Sequence, residues 1–212
     1  MICSMLSIMW LAHVNPVTKA HEEIIMEKMQ DGDVYVFPVI FRKKDGREVN
    51  ARSLPFSFEI RREMLRSIFD DKIHVLDVYT FQEPYKEYQG KTIAGIPVGF
   101  GKKAMQLRDN VLLCVPEPRK SYTGNYSEYL LMKKFGLNPE RGKRKTIAGT
   151  NVRELMYEEA LKQNTEEDWR NLVPASVVEI IEKNWSIVEH FASMEDQTIK
   201  RFGMKIPIDG YE

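Results

Sequence analysis

This sequence lacks the cysteines of a disulfide-stabilised protein. It has only two, Cys3 and Cys114, and both lie in apolar, strand-like runs. That placement is typical of buried, reduced thiols in a cytosolic protein rather than of a disulfide framework. We therefore expect a cytoplasmic protein, and we expect neither cysteine to act as a nucleophile.

An excess of charge of one sign is also missing. The 31 Lys and Arg residues balance the 31 Asp and Glu residues, so the formal net charge is zero. A neutral chain has no global field to attract nucleic acid or a membrane surface, and we predict neither as a partner. The only dense basic cluster, residues 141–145, can act on an anion only locally.

No apolar run is long enough to cross a membrane. The run at residues 1–12 lacks the basic start of a signal peptide and is interrupted by Ser4 and Ser7. It reads better as a buried first strand than as a signal peptide. Internal repeats, low-complexity linkers, metal-ligand clusters and catalytic triads are equally missing, so we treat residues 1–212 as one domain with a C-terminal helical segment over about 165–212.

The hydrophobic pattern predicts an α/β fold with a parallel sheet. A strand, a helix and a second strand follow one another at the start of the chain, which predicts a β-α-β unit. Residues 79–106 break the pattern, and we interpret them as a flap beside the site. The predicted strands are 2–11, 33–41, 73–78 and 111–115, and the predicted helices are 18–30, 56–69, 121–135 and 175–191.

Residues 13–21 (His-Val-Asn-Pro-Val-Thr-Lys-Ala-His) form the most informative stretch. They join the first strand to the first helix, and Thr18 and His21 stand one helical turn apart at its start. The unpaired N–H groups and the dipole of a helix N-terminus attract anions, and both side chains can add hydrogen-bond donors. The turn therefore predicts a phosphate site, although many ordinary helices begin in a similar way.

Residues 143–155 repeat this arrangement. A β-prone piece and a turn of small residues precede a helix whose first turn is predicted to carry Arg153. The guanidinium group stays charged and can donate two parallel hydrogen bonds to a phosphate. A second anion site follows from this pattern.

Together these segments resemble the nucleotidylyltransferase superfamily. Residues 18–21 match its Thr-x-x-His motif, and residues 148–153 (Ala-Gly-Thr-Asn-Val-Arg) match its last motif. Residues 50–65 are similar to the segment in which an Asn/Pro/Phe turn precedes a Glu-x-Arg helix. The string at 169–174 (Trp-Arg-Asn-Leu-Val-Pro) and the helix after it resemble the C-terminal segment of archaeal-type nicotinamide mononucleotide adenylyltransferases.

The resemblance implies a Rossmann-like sheet flanked by helices and a reaction in which a phosphorylated acceptor attacks the α-phosphorus of ATP or CTP. It implies Mg²⁺ held mainly by the nucleotide phosphates, with no protein metal site. His21, Thr18 and Arg153 would be catalytic and would contact the triphosphate. The nucleotide-binding residues would be His13, Val14, Asn15, Lys19, Gly149, Thr150 and Asn151.

Nicotinamide or nicotinic acid mononucleotide is the favoured acceptor, which would make the enzyme an adenylyltransferase of NAD biosynthesis. A cytidylyltransferase or a phosphopantetheine adenylyltransferase shares both main motifs and is the alternative. Ala12 and Ala20 replace two glycines of the first motif and add methyl groups near the phosphate, so an inactive nucleotide-binding regulator is a third interpretation. The oligomeric state is left open, a homo-oligomer included.

Overall fold

A five-stranded parallel sheet is central to the computed structural model, which describes residues 5–82, 92–93, 96–97, 100–143, 145–163, 167–201 and 204–207. Strand β1 (Ser7–Ala12) lies in the middle of this sheet. It pairs with β2 (Asp33–Pro38) on one side and with β8 (Arg119–Thr123) on the other. Strand β4 (His74–Val75) and strand β9 (Pro139–Arg141) are the two edges. The predicted α/β, Rossmann-like fold with its parallel sheet is confirmed.

The chain builds this sheet outward in one direction and then returns. It runs from β1 to β2 and β4, comes back to place β8 beside β1, and ends the sheet at β9. The strand order therefore reverses between β1 and β8, where the carboxyl ends of both strands open onto a shared crevice. Open α/β sheets bind ligands at such a switch point.

Helices cover both faces of the sheet, and β1 shows how. Alternate side chains of a strand point to opposite faces. Ile8 and Trp10 belong to one apolar cluster, whereas Met9 and Leu11 belong to another. Because both faces are buried, residues 8–11 read as a continuous apolar run rather than as an alternating one. The helices are α1 (Lys19–Met29), α2 (Phe58–Phe69), α3 (Phe100–Leu113), α4 (Tyr126–Lys134), α5 (Gly149–Ala160), α6 (Ala175–Lys183) and α7 (Trp185–Ala192).

Three pairs of short strands lie outside the main sheet. They are β3 (Ile40–Arg42) with β5 (Thr80–Gln82), β6 (Thr92–Ile93) with β7 (Ile96–Pro97), and β10 (Thr198–Arg201) with β11 (Met204–Pro207). The C-terminal segment, expected to be helical over about 165–212, is therefore helical only in part. Its buried Trp169 and Val188 share an apolar cluster with Ile8 of β1. The organisation of the whole chain as one domain stays a prediction.

The strand predicted at 111–115 is wrong. Residues 111–113 are the last turn of α3, and the fourth strand of the main sheet is β8 instead. A short apolar run does not by itself distinguish a buried strand from a buried helix end. Strand β8 escaped prediction because it begins with Arg119 and Lys120 and contains one large apolar side chain, Tyr122.

Several predicted bounds also differ from the structure. The first strand begins at residue 7 instead of 2, residues 1–4 being outside the described part. The run predicted as one strand at 33–41 is divided between β2 and β3, which belong to different sheets. The helix predicted at 121–135 begins only at Tyr126, because Asn125 caps it. The helix predicted at 175–191 is two helices, α6 and α7, with a break at Asn184.

Candidate functional site

A cavity of about 320 Å³ opens at the carboxyl ends of β1 and β8. Ala12 and His13, which follow β1, form one part of its wall, and Thr123 and Asn125 after β8 form another. Gly149 adds the N-terminus of α5. The cavity therefore lies at the switch point of the sheet and joins the two segments that the sequence predicts to bind phosphate.

His21 lines this cavity from the first turn of α1 and is held by a reciprocal cap. The Thr18 N–H donates to His21 Nδ1 at 3.0 Å, and the His21 N–H donates to the Thr18 hydroxyl at 3.4 Å. Trp10 packs edge-on against the ring, 5.6 Å between centroids. Because Nδ1 accepts, the neutral ring carries its proton on Nε2, and that N–H is available as a donor.

The neutral form of His21 is strongly favoured. Burial of the ring, followed by the positive charge of Arg153, lowers its pKa from 6.5 to about 4, against a smaller opposing effect of the Pro16 carbonyl. The pKa of His13 is lowered to about 3, first by burial and then by Arg153, Arg61 and Lys205. Near neutral pH both histidines are therefore hydrogen-bonding groups rather than cations.

The side chains of Thr18 and Lys19 bond within the protein and do not face the cavity, where a direct phosphate contact would place them. Thr18 is fully buried, and its hydroxyl serves the cap of α1. The exposed Lys19 donates from Nζ to the Asn171 carbonyl at 2.8 Å, which ties α1 to the C-terminal segment. Neither residue lines the cavity. Their roles as phosphate ligands stay predictions.

The loop that carries His13 is anchored from behind by a buried ion pair. Arg61 of α2 is fully buried and donates to the His13 carbonyl at 3.0 Å and to Glu48 at 3.3 Å. Glu48 also accepts the Phe58 N–H at the start of α2, at 2.9 and 3.0 Å. Burial lowers the pKa of Arg61 to about 10, although Glu48 opposes that shift, so the guanidinium stays charged near neutral pH.

Val14 and Asn15 also support this loop rather than face the cavity. Val14 is buried with φ of 39°, a left-handed conformation that a β-branched residue rarely adopts. The Asn15 amide donates to the Phe56 carbonyl at 2.7 Å and accepts the Phe56 N–H at 3.3 Å. The Asn/Pro/Phe turn of the second sequence segment therefore packs directly against the first motif.

The N-terminus of α5 meets the same loop. Arg153 lies in the second turn of this helix, not in the first as expected, and is buried. Its guanidinium donates to the Asn15 carbonyl and, at 3.1 Å, to the Thr150 hydroxyl. No side chain caps the helix at Ala148, so its first N–H groups are left available beside Gly149. Thr150 and Asn151 are exposed and lie outside the cavity wall.

Gly149 lies where the two segments meet, with room for a methyl group at ordinary contact distance. A methyl group at this position would lie 3.4 Å from the Asn15 carbonyl oxygen and 3.5 Å from Arg153 Nη1. Ala12 and Ala20, by contrast, already place methyl groups on the cavity wall. Both residues that replace glycines of the first motif therefore belong to the cavity wall.

Basic side chains reach the cavity from the segment before α5. Lys143 and Lys145 both line it. Lys145 is paired with Glu23 of α1 at 2.6 Å, which raises the Lys145 pKa. Within the residues that the structure describes, no group of three or more His, Cys, Asp or Glu side chains could hold a metal ion.

Some cavity residues could not be assigned from sequence. Arg108 and Glu128 line the cavity from α3 and α4, although neither belongs to a motif. The sequence feature that could have identified them is helical spacing, because apolar residues stand three and four positions away from each. The flap predicted at 79–106 supplies Tyr79, Phe81 and part of α3 to the cavity, but residues 83–91, 94–95 and 98–99 of that prediction lie outside the described residues.

Comparison with known proteins shows similarity at the level of the fold. No protein-family model and no curated protein sequence matches this chain. Among solved structures, a bifunctional NMN adenylyltransferase/ADP ribose pyrophosphatase of Francisella tularensis, complexed with AMP and a manganese ion, matches with a TM-score of 0.57. The identity is 14%, over 89% of this chain and 52% of that one, so this chain spans about half the length of that protein.

Two further structures match more weakly. The NadR protein in complex with NR has a TM-score of 0.47 at 16% identity, over 73% of this chain and 43% of that one. A nicotinic acid mononucleotide adenylyltransferase of Plasmodium falciparum, complexed with NaAD, has a TM-score of 0.42 at 12% identity, over 86% and 98% of the two chains. At this identity the likeness to the Francisella protein shows a shared fold, and that fold is the one implied by the resemblance to nucleotidylyltransferases.

Proposed function

We propose that this protein is an adenylyltransferase that transfers AMP from ATP to nicotinamide or nicotinic acid mononucleotide and releases pyrophosphate. The observation that carries the proposal is the meeting of His13, His21 and Gly149 in one cavity at the switch point of the sheet. The fold of the Francisella protein supports it. A cytoplasmic location belongs to the same proposal and is supported by the free thiol of Cys114.

The chemistry needs positioning and charge stabilisation rather than a protein nucleophile. An oxygen of the acceptor phosphate forms a bond to the α-phosphorus of ATP, and the bond from that phosphorus to the bridging oxygen breaks in line. The bridging oxygen leaves with the electron pair as part of pyrophosphate. Because the attacking phosphate oxygen is already ionised, no general base is required.

The neutral His21 is suited to this reaction. Its Nε2 proton can donate to a phosphoryl oxygen as negative charge moves toward the leaving group, and the cap at Nδ1 fixes the ring. The free N–H groups at the start of α5 can receive the same anion, with Lys143 and Lys145 as nearby cations. We take the triphosphate to enter as its Mg²⁺ complex, so the ion arrives with the substrate.

The remaining motif residues are proposed to hold these groups in place. Arg153 is buried and does not line the cavity; it joins the Asn15 carbonyl to Thr150 of α5, and its contact with the β- and γ-phosphates stays a prediction. Thr18 keeps His21 oriented, and Asn15 fixes the loop to the Phe56 turn.

A screen of substrates tests this function. ATP and CTP are each combined with nicotinamide mononucleotide, nicotinic acid mononucleotide, phosphopantetheine and small phosphorylated alcohols, and pyrophosphate release is measured. We expect turnover with ATP and a pyridine mononucleotide. Turnover with CTP and a phosphorylated alcohol, or with phosphopantetheine, would replace this acceptor assignment by the alternative that shares the motifs.

The methyl groups of Ala12 and Ala20 favour a second candidate, an inactive nucleotide-binding regulator. Ala20→Gly separates the two, because it removes a methyl group from the cavity wall. For an enzyme adapted to alanine, calorimetry should show Mg²⁺–ATP binding to the wild type and only a modest change in the glycine variant. Binding that is undetectable in the wild type and clear in the variant would contradict the enzyme interpretation.

A further inference from the structure

One face of α4 lines the cavity beyond the phosphate region. Its residues recur at intervals of three and four positions, so they lie above one another on a single stripe of the helix. Three of them are apolar and one is acidic. The stripe consists of Glu128, Leu131, Met132 and Phe135.

Helix α3 contributes a second stripe to the same cavity. Leu107 and Val111 are apolar and lie four positions apart, and Arg108 stands between them. The Arg108 guanidinium is paired with its neighbour Asp109, with Nε at 2.8 Å from the carboxylate. Two apolar helix faces therefore wall this end of the cavity, which suits a flat heteroaromatic ring.

Glu128 is the acidic side chain at this apolar end, and Arg108 is a basic one. The Thr123 hydroxyl donates to Glu128 Oε2 at 2.7 Å, which orients the carboxyl group. Within the described part of the chain, Oε1 receives no hydrogen bond and the carboxylate forms no ion pair. Burial raises the pKa of Glu128, with the Thr123 bond opposing the shift. Glu128 is half-buried and lines the cavity, so its second carboxylate oxygen can accept a hydrogen bond from a ligand there.

We propose that Glu128 determines which acceptor base the cavity takes, by accepting a hydrogen bond from a carboxamide N–H and repelling a carboxylate. The acceptor is then the mononucleotide whose pyridine ring carries an amide, and the acid form is rejected. This inference rests on the proposed function. The phosphate of the acceptor would lie toward His21 and Lys145, and the ring would lie between the stripes of α3 and α4.

The test compares the two acceptors in the wild type and in Glu128→Gln. With ATP in excess, kcat/KM for the amide should exceed that for the acid by at least about tenfold, since like charges in a desolvated site repel strongly. Glutamine keeps the size and removes the charge, so the ratio should fall to within about threefold. An exposed glutamate of α6 supplies the matched control, Glu179→Gln, which should keep the wild-type ratio.

Two results would overturn the inference. One is a wild type that prefers the acid, and the other is an unchanged ratio in Glu128→Gln. If the glutamine variant fails to fold, Glu128→Leu replaces it, because leucine continues the apolar stripe and also removes the charge; its ratio should likewise collapse.

A direct binding measurement distinguishes failure of the proposed function from failure of the role of Glu128. Calorimetry with each mononucleotide alone, without ATP, measures the discrimination independently of turnover. Tighter binding of the amide that is lost in Glu128→Gln supports the role of Glu128 even if no pyrophosphate is released. Equal binding of both mononucleotides to the wild type contradicts it.

Discussion

At the scale of single residues, the site depends on one neutral imidazole. The cap at Nδ1 and the lowered pKa of His21 both leave its Nε2 proton available as a donor over the whole neutral range. A protonated imidazole would not have a free Nδ1 lone pair, and the cap with Thr18 would be lost. The contact between the Thr18 N–H and His21 Nδ1 therefore both caps α1 and fixes the proton of His21 on Nε2.

Replacing His21 by alanine should lower turnover by about a hundred- to a thousand-fold, the scale for losing one preorganised donor. Stability should fall by only about 1 kcal/mol, because the Thr18 N–H loses its partner. The measurements are pyrophosphate release and urea unfolding.

A glutamine at position 21 separates the loss of the Nε2 donor from the loss of the helix cap. His21→Gln can restore the cap, since glutamine is favoured at this position of a capping box, but its amide does not reproduce the Nε2 donor. We expect near wild-type stability and turnover as low as in His21→Ala. Recovery of turnover together with stability would show that His21 serves the helix start alone.

Arg153 provides a second prediction at this scale. Its guanidinium bonds to both the Asn15 carbonyl and the Thr150 hydroxyl, and a lysine cannot hold two diverging acceptors while also binding phosphate. Arg153→Lys should therefore lose most activity despite keeping the charge. The exposed Arg66 provides the control Arg66→Lys, which should keep full activity. An Arg153→Lys variant as active as the control would show that charge alone suffices.

At the scale of elements, helix α2 anchors the loop that carries His13 through an ion pair whose Arg61 is fully buried. Arg61 is fully buried and reaches the His13 carbonyl, and Glu48 balances its charge while also capping α2. Removing one partner leaves the other charge uncompensated in the interior. The loop geometry therefore depends on a helix that contributes no residue to the cavity wall.

Glu48→Ala should destabilise the protein by about 3–5 kcal/mol, as expected for breaking a buried ion pair. The matched control is Glu59→Ala, since Glu59 is largely exposed and pairs with Arg62 one turn along α2. Surface pairs contribute about 0–1 kcal/mol, so the control should remain close to the wild type. Equal urea midpoints for the two variants would contradict the anchoring role.

The starts of α1 and α2 were predicted from sequence to within two residues, whereas the helix predicted from residue 121 begins at Tyr126. Thr18 and Ser57 are capping residues followed by apolar helical periods, and α1 and α2 begin one residue after them. Strand β8 was missed because its pairing with β1 and β9 is a long-range property that local polarity hides. The sequence shows that Arg61 belongs to the segment at residues 50–65. It does not show that the side chain is buried behind His13, because that depends on packing between distant segments.

At the scale of the whole molecule, the two motif segments come together through the sheet topology. Residues 13–21 follow β1 and residues 148–153 come after β9, two strands that flank β8 in the sheet, and the two segments meet where Arg153 bonds to the Asn15 carbonyl. The sequence therefore predicts which two segments meet at the cavity, and of its ten predicted site residues His13, His21 and Gly149 line the wall. Their roles toward phosphate stay predictions. The apolar end depends on how α3 and α4 face each other, and α3 was not predicted as a helix at all.

The C-terminal segment contributes to the apolar core on one face of the main sheet. Trp169 and Val188 of the C-terminal segment complete the apolar cluster beneath α1 and α5, opposite the cluster that contains Met132. Within the described residues, no helix is long and apolar enough to cross a membrane. The five-stranded sheet is central to the molecule, and the cavity lies at the carboxyl ends of its strands β1 and β8.

Product formation from ATP and nicotinamide mononucleotide tests nucleotidyl transfer at this cavity. The wild-type protein is incubated with both substrates and Mg²⁺, and the dinucleotide and pyrophosphate are quantified together. We predict that the two products form in equal amounts and that His21→Gln lowers the rate of both by about a hundred- to a thousand-fold while keeping the fold. Binding of ATP without any product, across all the acceptors named above, would contradict the enzyme and leave a nucleotide-binding protein.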